Sequence, residues 1–110
     1  MINIISSSRY KVNRANLKKA ATDSISASSL RPDITVNLVF VGRNKMRDLA
    51  NSYKKEDVAL PVLTFAYPNE NTGEIIICYP QAVLLAAERN RKVETMIVEL
   101  IKHGVNNLTK

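Results

Sequence analysis

The chain has 110 residues, of which 45% are apolar and 24% charged, a balance typical of a globular domain rather than a disordered or fibrous chain. No apolar run approaches the roughly 20 residues of a membrane-spanning helix, and no secretory signal is evident, so we expect a cytoplasmic protein without membrane contact. The single cysteine, Cys78, excludes an internal disulfide.

Positive charge is concentrated in two segments. The net charge is +6, from 16 Lys and Arg against 10 Asp and Glu. The first cluster is Arg9, Lys11, Arg14, Lys18 and Lys19, and the second is Arg43, Lys45, Arg47, Lys54 and Lys55. Basic clusters with few carboxylates indicate a polyanionic partner such as nucleic acid. For the first cluster, a solvated helix face stays open as an alternative.

The first half of the chain predicts alternating strands and helices. A short strand over Ile2–Ile5 precedes a helix within residues 13–29, for which Asn13 is the candidate N-cap. The β-branched run 34–41 predicts the central strand. A short amphipathic helix over 43–53 follows and carries most of the second basic cluster.

The second half predicts a hairpin and two more helices. Residues 62–66 and 74–78 indicate strands joined by turn-forming residues, so we expect them to pair antiparallel. Pro80 is expected to open a helix. Segment 93–103 shows helical apolar spacing at Val93, Met96, Ile97, Leu100 and Ile101. This order predicts the α+β class: one domain over residues 1–110, with a mixed four-stranded sheet packed with about four helices.

Few residues suggest chemistry by type alone. His103 is predicted to end the last helix, at the border of its apolar stripe rather than in the open. A histidine there more often stabilises the helix dipole than acts in catalysis. Cys78 is expected to be a small core residue rather than a ligand. Tyr53 is expected to serve in packing its helix against the rest of the protein rather than to stack on bases.

Four segments nevertheless follow one another in a suggestive order: Tyr53-Lys54-Lys55-Glu56-Asp57, Val62-Leu63-Thr64-Phe65, Gly73-Glu74-Ile75-Ile76-Ile77-Cys78 and His103-Gly104. In order and spacing they resemble the YbeY family of bacterial rRNA-maturation endoribonucleases. That family reads Y-R-G-K-D-x-P-T-D-V-L-S-F, then G-D-I-x-I, then H-G-x-L-H-L-x-G-x-D-H. The resemblance covers about residues 34–108.

The resemblance implies a metal-dependent hydrolase that binds single-stranded RNA in a basic groove and cleaves it with a metal-activated water. It implies action on small-subunit ribosomal RNA during ribosome biogenesis, with small-subunit proteins and an Era-type GTPase as partners. Lys54 and His103 are the catalytic residues it implies. The RNA-binding residues that we expect are Arg43, Lys45, Arg47, Lys54 and Lys55.

The metal motif departs from the family pattern. In the family, two histidines one helical turn apart and a third six residues later bind a metal that is usually taken as zinc. His103 keeps the first position, Asn107 replaces the second, and the third would fall at residue 113, beyond Lys110. The chain therefore resembles a C-terminally truncated member with a degenerate metal motif. Because an amide oxygen is a poor zinc ligand, we predict weak or absent zinc.

The basic motif departs less. Lys54 stands where the family has arginine, so the charge is kept but the bidentate guanidinium fork is lost. Lys55 and Glu56 replace the family's Gly-Lys, while Asp57 and the hydroxyl of Thr64 are retained.

Two alternatives stay open. One is a non-catalytic RNA-binding relative that has lost the metal site. The other is a nuclease without metal, in which His103 is the general base and Lys54 holds the phosphate; nothing obvious in it protonates the leaving oxygen. On these grounds we expect low RNase activity.

Overall fold

The computed structural model describes residues 1–7, 9–55 and 57–109, and its elements confirm the predicted α+β class. Strands and helices follow the predicted order along the chain. They are β1 Ile2–Ile5, α1 Arg14–Ser26, β2 Thr35–Val41, α2 Arg43–Lys54, β3 Val62–Tyr67, β4 Thr72–Cys78, α3 Tyr79–Glu88 and α4 Val93–Leu108.

The four strands form one mixed sheet in the order β1-β2-β4-β3. β1, β2 and β4 are parallel, and β3 pairs antiparallel with β4 at one edge, which confirms the predicted hairpin. The two strands are joined by a 3-10 turn over Pro68–Glu70 and by Asn71, which adopts the left-handed conformation with φ 50°. β4 begins at Thr72, two residues earlier than predicted.

Each face of the sheet has its own apolar core. β2 buries alternate residues, so Val36, Leu38 and Phe40 join the larger core with α1, α3 and α4. The opposite face is covered by α2, whose Met46 and Ala50 belong to a smaller core. β4 is central and contributes to both, because its successive side chains point to opposite faces.

The helix boundaries differ from prediction at two ends. α1 is capped as expected, since the Asn13 side chain accepts a hydrogen bond from the Asn16 N–H at 3.1 Å, but it already ends at Ser26. α4 continues five residues past His103 to Leu108, so the prediction that His103 ends the last helix is wrong. The extension buries Val105 and Leu108 in the larger core.

Two glycines let α4 lie close to β4. A Cβ atom at Gly104 would lie 2.7 Å from Cγ2 of Ile75, and one at Gly73 would lie 2.8 Å from Cδ1 of Leu108. Contacts this short are not tolerated between real atoms, so a larger residue at either position would force the Ile75 or Leu108 side chain to move. Across the described residues, none of the helices combines the length and apolar character needed to cross a bilayer.

Candidate nucleic-acid interface

Helix α2 presents the second basic cluster to solvent. The helix starts directly after β2 and buries Met46 and Ala50 against Leu63 and Ile76. Its other positions are mostly polar and exposed, as the amphipathic spacing predicts. All five residues expected to bind RNA are exposed on this helix or its C-terminal cap: Arg43, Lys45, Arg47, Lys54 and Lys55. At 100° per residue, Arg43, Arg47 and Lys54 lie within about 40° of one another on one side of α2, whereas Lys45 lies about 160° round the helix from Arg47.

The C-terminal end of α2 has an unusual cap. Lys54 is the last helical residue, and Lys55 adopts the left-handed conformation with φ 58° and ψ 29° while its N–H bonds the Ala50 carbonyl oxygen. A cation in the last turn also interacts favourably with the helix dipole. Lys54 thus has a structural contribution besides any contact with phosphate.

Tyr53 combines packing with exposure. Its ring meets the Phe65 ring edge-on, with centroids 4.9 Å apart and planes at 66°, so it does pack as predicted. The residue nevertheless keeps 66% of its surface exposed, directly beside Lys54. An aromatic ring flanked by a cation is the arrangement on which single-stranded bases stack.

His103 lies on the other face of the sheet. α4 packs in the larger core and α2 in the smaller one, and both helices also contact the edge strand β3. Lys54 and His103 therefore lie on either side of β3. The two residues that the resemblance implies as catalytic are thus carried by helices on opposite faces of the sheet.

His103 is exposed, so the prediction that it lies at the border of the apolar stripe rather than in the open is wrong. The added turns of α4 bury Val105 and so shift the centre of the buried arc away from His103. α1 covers the opposite flank of α4, where the Asn16 amide donates to Glu94 at 3.1 Å. Asn107, one turn after His103, is half-buried.

The donor groups near His103 do not fit a tight zinc site. Residues 1–7, 9–55 and 57–109 contain no group of three His, Cys, Asp or Glu side chains that could hold a metal ion. His103 and Asn107 offer one imidazole and one amide, whereas catalytic zinc takes three imidazole, thiolate or carboxylate ligands. Glu99, one turn before His103, accepts a hydrogen bond from Arg91.

Cys78 is a core residue, as predicted. Its side chain is fully buried in the smaller core with Met46 and Ile76, and this burial raises the pKa of the thiol. A neutral, buried thiol is neither a ready nucleophile nor a ready metal ligand.

Polar pairs across the α2 side of the sheet were missed by sequence reasoning. The Asn3 amide donates to Asn37 Oδ1 at 2.9 Å, and the Tyr67 hydroxyl donates to Glu74 Oε1 at 3.0 Å. The Glu74 bond raises the pKa of Tyr67. Asn37 was the available signal, because it interrupts the apolar run over residues 36–41 on the face that α2 leaves partly open.

Comparisons with known proteins agree with the sequence motifs. The family model described as Endoribonuclease YbeY matches residues 3–109. Proteins named Endoribonuclease YbeY include one from Cupriavidus pinatubonensis, 37% identical over 82 residues that cover 71% of this chain and 41% of that protein. Another, from Dehalococcoides mccartyi, is 31% identical over an alignment 128 residues long, gaps included, which covers 97% of this chain and 74% of that protein.

The fold has a solved counterpart as well. A solution structure from Thermotoga maritima matches with a TM-score of 0.70 and 25% identity, over 100% of this chain and 73% of that one. The chain thus spans 41% of the length of the Cupriavidus relative and about three quarters of the two others. With a family match over almost its whole length, the chain belongs to the YbeY family of endoribonucleases.

Proposed function

We propose that the protein binds single-stranded segments of small-subunit ribosomal RNA in the cytoplasm and acts in rRNA maturation as an endoribonuclease of the YbeY type. The observation that carries the proposal is the exposed basic face of α2, which ends in Lys54 and Lys55 beside the exposed Tyr53 ring. This surface coincides with the family's Y-R-G-K-D motif. The proposal implies small-subunit ribosomal proteins and an Era-type GTPase as partners. Pull-down with purified components tests whether these proteins bind the chain.

RNA binding on this surface depends mainly on electrostatic attraction between cationic side chains and phosphates. Lys and Arg side chains that neutralise phosphates release condensed counterions, so affinity falls steeply as salt rises. Lys54 supplies charge without the bidentate fork of arginine, so it attracts phosphate with little directional preference. Stacking on Tyr53 adds affinity that tolerates any base.

The chemical step draws on residues from both sides of β3. The lysines at the end of α2 offset the charge that develops on a phosphate in reaction. His103 is exposed, and histidine is the side chain that most often serves as a general base. In relatives with a complete ligand set, a bound metal supplies an activated water. Because His103 and Asn107 do not fit that set, no step proposed for this chain passes through a metal.

The experiment on binding replaces the two lysines that end α2. Each phosphate contact contributes roughly 0.7 to the salt slope for single strands, so Lys54→Ala with Lys55→Ala should lower the slope by up to about 1.4. The double variant should weaken binding of all single-stranded sequences alike. The matched control is Lys18→Ala with Lys19→Ala, since these exposed lysines lie on α1, on the other face of the sheet. Parental affinity of the Lys54, Lys55 variant at low salt would refute the proposal.

Cleavage of a single-stranded rRNA fragment tests the activity, which we expect to be low. The chemistry of the product ends distinguishes the routes. A 2′,3′-cyclic phosphate indicates attack by the RNA 2′-hydroxyl, and a 5′-phosphate indicates attack by water. Strong cleavage that survives His103→Ala would show that the active centre lies elsewhere.

A further inference from the structure

We propose that RNA also contacts a second basic surface, at the carboxyl ends of the parallel strands. The inference rests on the proposed function and extends the region of the protein that the RNA covers. We call this second basic surface the strand-end surface and define it by Arg9, Lys11, Arg14 and Lys45.

Two adjoining cavities form the strand-end surface. The larger, of about 690 Å³, lies at the start of α1 and is lined in part by Lys11 and Arg14. The smaller, of about 450 Å³, lies between the segment after β1 and the end of β2, and Arg9 and Lys45 both line it. Tyr10 lines the two cavities and so marks their common wall.

The topology of the sheet explains why these cations meet. β1 and β2 are parallel neighbours, so their carboxyl ends lie at the same edge. From that edge the chain enters α1 on one face after β1, and α2 on the other face after β2. A crevice opens where two neighbouring connections leave in opposite directions, and open α/β sheets bind ligands in such crevices. The first and second basic clusters, far apart in sequence, therefore share one cavity.

The wall of the cavities is held in place by specific contacts. Tyr10 stacks on Tyr79, with ring centroids 4.8 Å apart and planes at 25°. The Tyr79 hydroxyl donates to the Lys11 carbonyl oxygen at 3.3 Å. Arg14 Nη1 donates to the Ile4 carbonyl oxygen at 2.7 Å, which holds the guanidinium at the end of β1. Preorganised cations lose less conformational freedom when they bind a phosphate than mobile ones do.

The charge of the surface selects the phosphodiester backbone as ligand. Among the described residues that line the two cavities, none is acidic. The remaining cations of the first cluster differ, because Lys19 pairs with Asp23 at 3.0 Å, and neither Lys18 nor Lys19 lines these cavities. The structure thus divides one basic cluster of the sequence into a cavity-lining part and a solvated part. Cations without a base-reading geometry position a strand but do not read its sequence.

The length of α2 sets the scale of the combined surface. Lys45 lies in the first turn of α2 and Lys54 at its end, and the helix has 12 residues, which is about 18 Å at 1.5 Å per residue. Nine residues separate Lys45 from Lys54, which places them on opposite sides of the helix, so a strand of RNA that contacts both must cross α2.

The test compares two double variants that remove the same charge from the same basic cluster. Arg9→Gln with Lys11→Gln should lower the salt slope for a single-stranded oligonucleotide by up to about 1.4, and the affinity near physiological salt about tenfold. Lys18→Gln with Lys19→Gln should change either quantity much less. All four positions are exposed, and equal melting temperatures would verify that the variants fold alike.

The outcomes separate this inference from the proposed function. If Arg9→Gln with Lys11→Gln binds like the parent while Lys54→Gln with Lys55→Gln binds weakly, the strand-end surface is refuted and the proposed function stands. If Arg9→Gln with Lys11→Gln weakens binding and the Lys54, Lys55 variant does not, the strand-end surface stands and the α2 site is refuted. If both bind like the parent, both are refuted. Arg9-dependent binding of a mononucleotide as tight as that of the oligonucleotide would also overturn the inference, because the cavity would then serve a small phosphate ligand.

Discussion

Lys55 adopts a left-handed backbone conformation, which lysine rarely adopts. Three described residues other than glycine have positive φ, and two of them are asparagines, Asn71 and Asn90, whose side chains tolerate this conformation. A lysine has no such compensation, so the left-handed conformation at φ 58° is unfavourable for it. The YbeY motif has glycine at this position. The chain therefore carries a cation here at some cost in stability.

Replacing that cation should reveal the cost. Lys55→Gly should raise the free energy of unfolding by about 0.5–1 kcal/mol, because glycine adopts the left-handed conformation freely and only part of this gain is offset by its more flexible unfolded chain. Lys54→Gly, one residue earlier and still helical, should instead lower it by about 1 kcal/mol. Denaturant unfolding measures both. Equal effects of the two substitutions would contradict this account of the cap.

Among the secondary-structure elements, α4 contributes a row of buried side chains to the larger core. Its Leu100 is only 6% exposed and belongs to that core, so Leu100→Ala should lower the free energy of unfolding by about 2–5 kcal/mol. Lys102→Ala, at an exposed position of the same helix, should change it by less than about 0.5 kcal/mol. Unfolding in urea checks the pair, and a loss below about 1 kcal/mol at Leu100 would mean that the core adjusts around the missing atoms.

The periodic parts of the fold were predictable from sequence. The alternation in β2 and the apolar spacing of α4 are strong, so both elements and the β3–β4 hairpin were identified correctly. The end of α4 was not, because Gly104 and the asparagines after it are poor helix formers. Burial of Gly104 and Leu108 against β4 outweighs that local preference. Propensity carries no information about a contact with a distant strand.

The candidate site was predictable to a similar extent. The basic face of α2 follows from local spacing, and the structure bears out its exposure. The adjacency of Arg9 and Lys45 does not, because it depends on the parallel pairing of β1 with β2, in which Ile4 lies opposite Leu38. No local pattern encodes a pairing between residues so far apart in the chain.

Metal content is a property of the whole molecule as purified. Since His103 and Asn107 do not fit a tight zinc site, we expect well under one equivalent of zinc and almost no change in melting temperature with a chelator. Metal analysis of the purified protein and a melting curve with and without chelator measure this, with His103→Ala as the matched control. One equivalent of tetrahedral zinc bound at His103 would contradict the prediction and restore the metal-dependent route.

The strand order also leaves two edges of the sheet at which another chain could pair. The sheet ends in β1 and β3, whose outer edges carry backbone groups that another chain could pair with. β1 has only four residues, and β3 has six, bracketed by Pro61 and Pro68. Proline offers no N–H to a neighbouring strand, so a ladder added to β3 would be interrupted at each end. Short edges of this kind limit edge-to-edge aggregation while the basic surfaces of the protein stay open.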